Sequence, residues 1–443
     1  MSNDSTASGT IPKTKWSDDA FLERLRRSPD SLANECVTTL REQGVGTKEI
    51  MKIFRSMQFN GAPPPPETPD VLRDFLDTTG KIPPDADLSP QEQLDRLAQG
   101  QTAFMTHMLP SAMALLFKSI PEGYAAPPLT EVLNISGMLR DNPYHRIMGT
   151  LRFLIDVSSP GGFNPGEGHR GILTTQKVRL MHAGVRMNVA PQWDGYEEYK
   201  KKYVGPISTE DMLGTMMGFS LLVVHGLRSL HVQMGSGQRD MDGHTDDEEA
   251  FYYVWRIFAR MFGVYPDGQP DSNEFIPQNL AEATECYDGY CRRHYVGAED
   301  FSRGWRERSE AANAGGVALA DGHVNMGGVI VLHMFPKALR PVIPGPLVRM
   351  VPRIYMHHLI GSAGCARIGV RPVFLMVIMK FVLINGPRVW AAAWNMVSPK
   401  THVRMSEWLL EKLIRMVYNK ELGFIIPSDV KDLRNLVETG WKQ

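Results

Sequence analysis

Helix-start chemistry recurs along this chain with almost nothing to compete with it, and that narrows the folds open to it. Ser208 stands before the acidic turn Glu210–Asp211 and an apolar run reaching about residue 232. Thr245 and Glu248 stand at capping-box spacing and open the segment EEAFYYVWRIFARMFG. In such a box the hydroxyl and the carboxylate each satisfy a backbone N–H that the first turn leaves unpaired. Short amphipathic patterns near 17–27, 31–42 and 47–57 are followed by a Met- and Leu-rich stretch, 100–119. Strand alternation bounded by turn residues is scarce. No GxGxxG follows a strand, and no repeat of 20–50 residues is present. The prediction is an all-α fold.

The proline run Pro63 to Pro66 cannot continue a helix and favours an extended spacer. We therefore divide the 443 residues into an N-terminal helical extension, 1–91, and a main helical domain, 92–443. Hydrophobic residues at 43% and charged residues at 22% exclude global disorder and a multi-span membrane protein. Lys plus Arg is 48 against Asp plus Glu 49, which excludes a general nucleic-acid binder. The four cysteines, Cys36, Cys286, Cys291 and Cys365, form neither a disulfide framework nor a CxxC zinc pair. With no signal-peptide core at the N-terminus, the expected address is the cytoplasm.

From Gly322 through Ser406 there is no Asp or Glu in 85 residues, while ten Lys and Arg lie within them. Since the chain nets −1, everything outside that stretch nets −11. Apolar pieces such as PVFLMVIM separate the cations, each well short of the ~20 residues a bilayer span requires. Two readings fit: a peripheral contact with an anionic membrane or a cavity for a long apolar ligand, and a hydrophobic core with a basic exposed face.

Segment 172–188, ILTTQKVRLMHAGVRMN, carries Arg179, His182 and Arg186 at i, i+3 and i+7, one stripe of a helix. Three such groups repel one another unless something anionic faces them. Haem meets that requirement chemically, with an iron for the imidazole of His182 and propionates for guanidinium groups. On this reading the arginines neutralise or orient the propionate edge, directly or through the fold. The alternative is a basic solvated face. Arg146 and Thr150, four apart in NPYHRIMGTLRFLI, form a second candidate pair. Thr150 has a hydroxyl small enough to sit over a metal-bound species, or to bond back into its own helix.

Other patterns carry less. His225 with His231, and His357 with His358, do not share a helix face. DMDGHTDDEE at 240–249 has its glycine misplaced for an EF-hand and reads as a polar loop feeding a cap. GGFNPGEGHRG at 161–171 lacks the GK[ST] ending of a phosphate loop and reads as a connection between helices. Cys365 lies outside any cytochrome P450 signature, and no CxxCH is present, so a bound haem is non-covalent haem b.

The segments KVRLMHAGVR, HRIMGT, EDMLGTMMGFS and EAFYYVWRIFARMFG resemble the family of latex-clearing proteins (rubber oxygenases) and MpaB-type oxygenases, over roughly residues 95–400. The resemblance implies an all-helical fold with a globin-like haem-binding core and additional N- and C-terminal helices. It implies haem b as cofactor, O2 as co-substrate, and cleavage of an isoprenoid C=C bond to carbonyl products. By matching motif, His182 falls on the proximal ligand, Arg179 and Arg186 on its flanking arginines, and Arg146 with Thr150 on the distal pair. Gly149 stands where latex-clearing enzymes carry a distal lysine, and Glu131 is the nearest counterpart of their catalytic acid. A lipophilic substrate follows. The rivals are another haem peroxidase or monooxygenase activity, and a non-catalytic haem- or lipid-binding protein at the membrane surface.

Overall fold

The computed structural model describes residues 14–60, 63–123, 126, 128–129, 132–133, 143–163, 170–193, 195–265, 273–294, 353–361, 365, 401, 403–406, 408 and 412. Every regular element among them is helical.

The N-terminal region forms α1 (Asp19–Arg26), α2 (Ser31–Glu42), α3 (Thr47–Asn60) and α4 (Asp70–Thr79). Asp18 and Asp30 cap α1 and α2, accepting from Ala20 N–H at 2.9 Å and Ala33 N–H at 3.2 Å. This region is no loose appendage. Trp16, Phe21, Leu22 and Leu25 enter the same hydrophobic core as the main domain. A second core joins α2, α3 and α4 to residues 173–183.

Helix α5 (Pro90–Thr106) begins with a capping box of Ser89 and Glu92, ahead of the sequence pattern that starts at residue 100. It turns by 80° into α6 (Met108–Ala114), a π turn (Leu115–Ser119) and the short α7 (Ile120–Gly123). Then follow α8 (Pro143–Ser158) and α9 (Arg170–Gly184), the latter continuing into a second π turn, Val185–Val189. Next come α10 (Tyr196–Tyr203), α11 (Thr209–Phe219), α12 (Leu221–Ser229), α13 (Asp246–Met261) and α14 (Leu280–His294).

The boxes at Ser208/Asp211 and Thr245/Glu248 form with both hydrogen bonds in place. The single helix that the run 208–232 suggests is in fact two. The break falls at Ser220, which leaves helical geometry at φ −111° and ψ −81° while its hydroxyl donates to the Met216 carbonyl at 2.8 Å. The segment 240–249 is a polar loop and first turn, with Arg228 holding Glu248. Of the glycine-rich connection, 164–169 lie outside the described residues.

Helix α13 supplies the centre of the main core, burying Phe251, Tyr252, Val254, Trp255 and Phe258. It packs along α5, where Gly100 lies so close to the Ala250 carbonyl that no Cβ fits between them. Most of the acid-free stretch lies outside the described residues. Within it, Tyr355 stacks on Phe117 at 5.2 Å, and the Ser406 hydroxyl donates to Met105 O at 2.9 Å.

Candidate functional site

An apolar cavity of about 190 Å³, open to solvent on one side, lies between α7, α8, α9, α11 and α14. One face of α11 forms its longest wall, through Met212, Gly214, Thr215, Gly218 and Phe219. Those positions recur every three or four residues, one stripe of a helix. The stripe is flat where the glycines fall. A Cβ on Gly214 would meet the Tyr290 ring at 2.8 Å, whereas one on Gly218 would project into open space. Thr150 of α8 and His182 of α9 both line this cavity, so the structure brings two of the sequence candidates to one space. His182 is half-buried, with Phe262 edge-on to it at 5.4 Å between ring centroids.

Of the remaining candidates, Arg146 stands one turn before Thr150 on α8, but its side chain lies outside the described residues, as does all of Glu131. Gly149 is buried. Arg179 and Arg186 do face an anion, and it belongs to the protein. Arg179 is buried and grips Asp30 through two hydrogen bonds, Nε to Oδ2 at 2.6 Å and Nη2 to Oδ1 at 2.8 Å. Its third nitrogen donates to Met261 O at 3.0 Å. Burial works against that charge, but the Asp30 carboxylate outweighs it and holds the guanidinium ionised. Arg186 donates to Asn34 Oδ1 at 2.9 Å and Ile207 O at 3.2 Å, and approaches Asp30 at 4.0 Å. Arg186 sits in the π turn, so it is displaced from the ideal stripe; such turns cluster at functional sites.

Gly263, the last residue of the EAFYYVWRIFARMFG motif, is needed twice over. It adopts φ +77°, and a Cβ there would meet the Arg179 guanidinium at 2.6 Å. Ile207, beside His182 on the cavity wall, holds φ +57°, a strained conformation for a β-branched residue.

Three features of the site escaped the sequence reading. Asp30 is the first; its only signal was an aspartate placed to cap α2. Another is the buried pair Arg26–Asp211, in which Asp211 lines the cavity and Arg26 also donates to Tyr203 O at 2.7 Å. The third is a chain of polar groups at the cavity wall. Tyr287 donates to buried Glu122 at 3.2 Å, and Lys118 donates to Glu122 at 2.6 Å.

Among the described residues no cluster of three or more His, Cys, Asp or Glu could hold a metal ion. The apolar walls, with Gly218 leaving open space on the α11 side, suit an apolar ring system. The propionate contact does not fit in its direct form, because both guanidinium groups are turned to protein acceptors. Cys365 is buried, which pushes its thiol up, and it does not line this cavity.

An all-helical scaffold with one imidazole on an apolar cavity defines the class of site. Residues 92–374 match the family model described as "ER-bound oxygenase mpaB/B'/Rubber oxygenase, catalytic domain", and the chain belongs to that family. It is 24% identical over 209 residues to the rubber oxygenase of Streptomyces sp. (strain K30), a match covering 47% of this chain and 45% of that protein. The chain thus aligns with less than half the length of that relative. The solved structure of latex clearing protein LCP in the closed state superposes with a TM-score of 0.58 at 18% identity, covering 91% of this chain and 94% of that one. That likeness establishes the all-helical fold.

Proposed function

We propose that this protein is a haem b-dependent oxygenase acting on a lipophilic, isoprenoid-like substrate, with cleavage of a C=C bond to carbonyl products as its reaction. The observation that carries this reading is the placement of His182 and Thr150 on the walls of one apolar cavity. Membership of a family of oxygenases supports the reaction class.

His182 would hold the haem iron, and the face of α11 at Gly218 leaves room beside it. Bound there, haem supplies a redox-active iron for O2 chemistry. Thr150 offers a hydroxyl that can donate or accept a hydrogen bond at Oγ1. The apolar walls exclude water and orient an apolar chain by contact alone. Glu131 remains the candidate general base by motif, and Arg146 the partner of Thr150. Arg179 and Arg186 would serve the cofactor through the fold.

A peripheral membrane contact would fall in the acid-free stretch 322–406, within which Met405 is exposed. No single helix among the described residues is long and apolar enough to cross a membrane.

The test is incubation of hemin-loaded protein with polyisoprene and shorter isoprenoid alkenes under 18O2, with products weighed by mass spectrometry. Carbonyl fragments carrying the label are expected. Turnover with H2O2 alone would favour a peroxidase, and unaltered alkene under both oxidants would remove the oxygenase reading.

A further inference from the structure

Helix α9 is held from outside at two points that bracket His182. Arg179, one turn before it, and Arg186, one turn after it, both reach the N-terminal region, and the carboxylate of Asp30 lies between them. Its Oδ2 is 2.6 Å from Arg179 Nε and 4.0 Å from Arg186 Nη2. Asp30 is itself fixed, because its Oδ1 caps α2 through Ala33 N–H and accepts the second Arg179 bond. Asn34, one turn further along α2, takes Arg186 Nε at 2.9 Å. Asp30, Arg186 and His182 also line one small niche, closed by Ile207, Thr209 and Phe262.

This geometry fixes the roll of α9 about its axis. One residue of slip rotates a helix by about 100°, which would carry His182 off the cavity wall. A half-buried carboxylate with two buried guanidinium partners resists such rotation from both sides, because release leaves the buried Arg179 charge without its partner. It also sets the local charge. One carboxylate against two guanidinium groups leaves a net +1 beside the imidazole, and its loss would leave +2.

We infer that Asp30, from the N-terminal region outside the matched catalytic segment, is a positioning residue for His182. It acts through Arg179 and Arg186 to hold the imidazole toward the cavity and to moderate the positive charge behind it. The inference rests on the haem reading. Outer partners of this kind commonly change metal affinity by about 10–100-fold.

The experiment compares wild type with Asp30→Asn, which keeps a good helix cap but removes the charge. Hemin transfer to an apo-globin acceptor and the Fe(III)/Fe(II) midpoint potential are measured, with far-UV circular dichroism reporting the fold. The expected result is helix content retained, hemin loss at least about tenfold faster and a midpoint potential shifted upward. Unchanged hemin release and potential would overturn the inference. Should Asp30→Asn fail to fold, Asp30→Glu keeps the charge on a longer arm. It should release hemin faster with the potential near wild type, and wild-type release would overturn the inference. Wild type that takes up no hemin removes the haem reading itself, whereas wild type that binds while the variants match it removes only the role of Asp30.

Discussion

Helices α9 and α13 are both buried and of similar length, yet they are held by different forces. On α13 the buried surface is mainly aromatic and aliphatic, with a few polar anchors: Tyr252 donates to Pro277 O at 2.9 Å, and Tyr253 and Arg256 both reach Asp85. On α9 nearly every side is buried, and polar residues lie inside. Thr174 donates to Asp156 at 2.8 Å, Gln176 to Leu76 O at 2.8 Å and Thr79 at 2.9 Å, and Arg179 is locked to Asp30. Hydrophobic burial is non-directional and tolerates small rotations. Matched buried polar groups do not. The helix carrying His182 is thus specified in angle as well as position, mostly by the region before residue 92.

The largest expected effect is on the ion pair. Arg179→Ala should cost about 3–5 kcal/mol by removing a buried side chain and leaving the half-buried Asp30 with only Arg186 as a cationic partner, comparable with Trp255→Ala in the apolar helix. The comparison breaks on the double variant Asp30→Ala/Arg179→Ala. In denaturant unfolding it should be less destabilised than the sum of the two single variants, and simple additivity would mean that the pair is not coupled.

Gly263→Ala should cost about 1–3 kcal/mol, through its positive φ and the clash with Arg179, as read from the thermal midpoint.

A smaller effect concerns the one ill-matched acid on α13. Burial pushes Glu249 up to about 7 from its ordinary 4.5, and Asp240 adds to this, while the Leu280 N–H works the other way. A folded-state value above the unfolded one means that the native protein binds the proton more tightly. Its stabilising contribution is full below about 4.5 and is lost as pH rises through about 7. Glu249→Gln should remove that slope and, above pH 7, raise stability by on the order of 1–2 kcal/mol after solvent screening.

Thr174→Val, which leaves Asp156 one donor short, should cost about 1 kcal/mol.

Much of this architecture was legible. The pattern at 31–42 becomes Ser31–Glu42, and the Thr245 box starts α13 where its spacing says. Those elements follow from local capping and a strong apolar face. What escaped depends on tertiary partners. The break at Ser220 has no adjacent Gly or Pro to announce it. The Arg179–His182–Arg186 stripe correctly demanded an anion, but periodicity cannot tell a ligand's carboxylates from one 149 residues away in the chain. Glycines 214 and 218 stand in plain view in EDMLGTMMGFS, yet only tertiary packing tells them apart: Tyr290 packs on Gly214, and Gly218 faces open space.

The most direct test is the absorption spectrum of the purified protein titrated with hemin, for wild type and His182→Ala. Wild type should saturate near one hemin per chain with a sharp Soret band, and His182→Ala should lose that band or shift it. Identical spectra for the two proteins, or a wild type that stays colourless after hemin and desalting, would contradict His182 as the group on which this site is built.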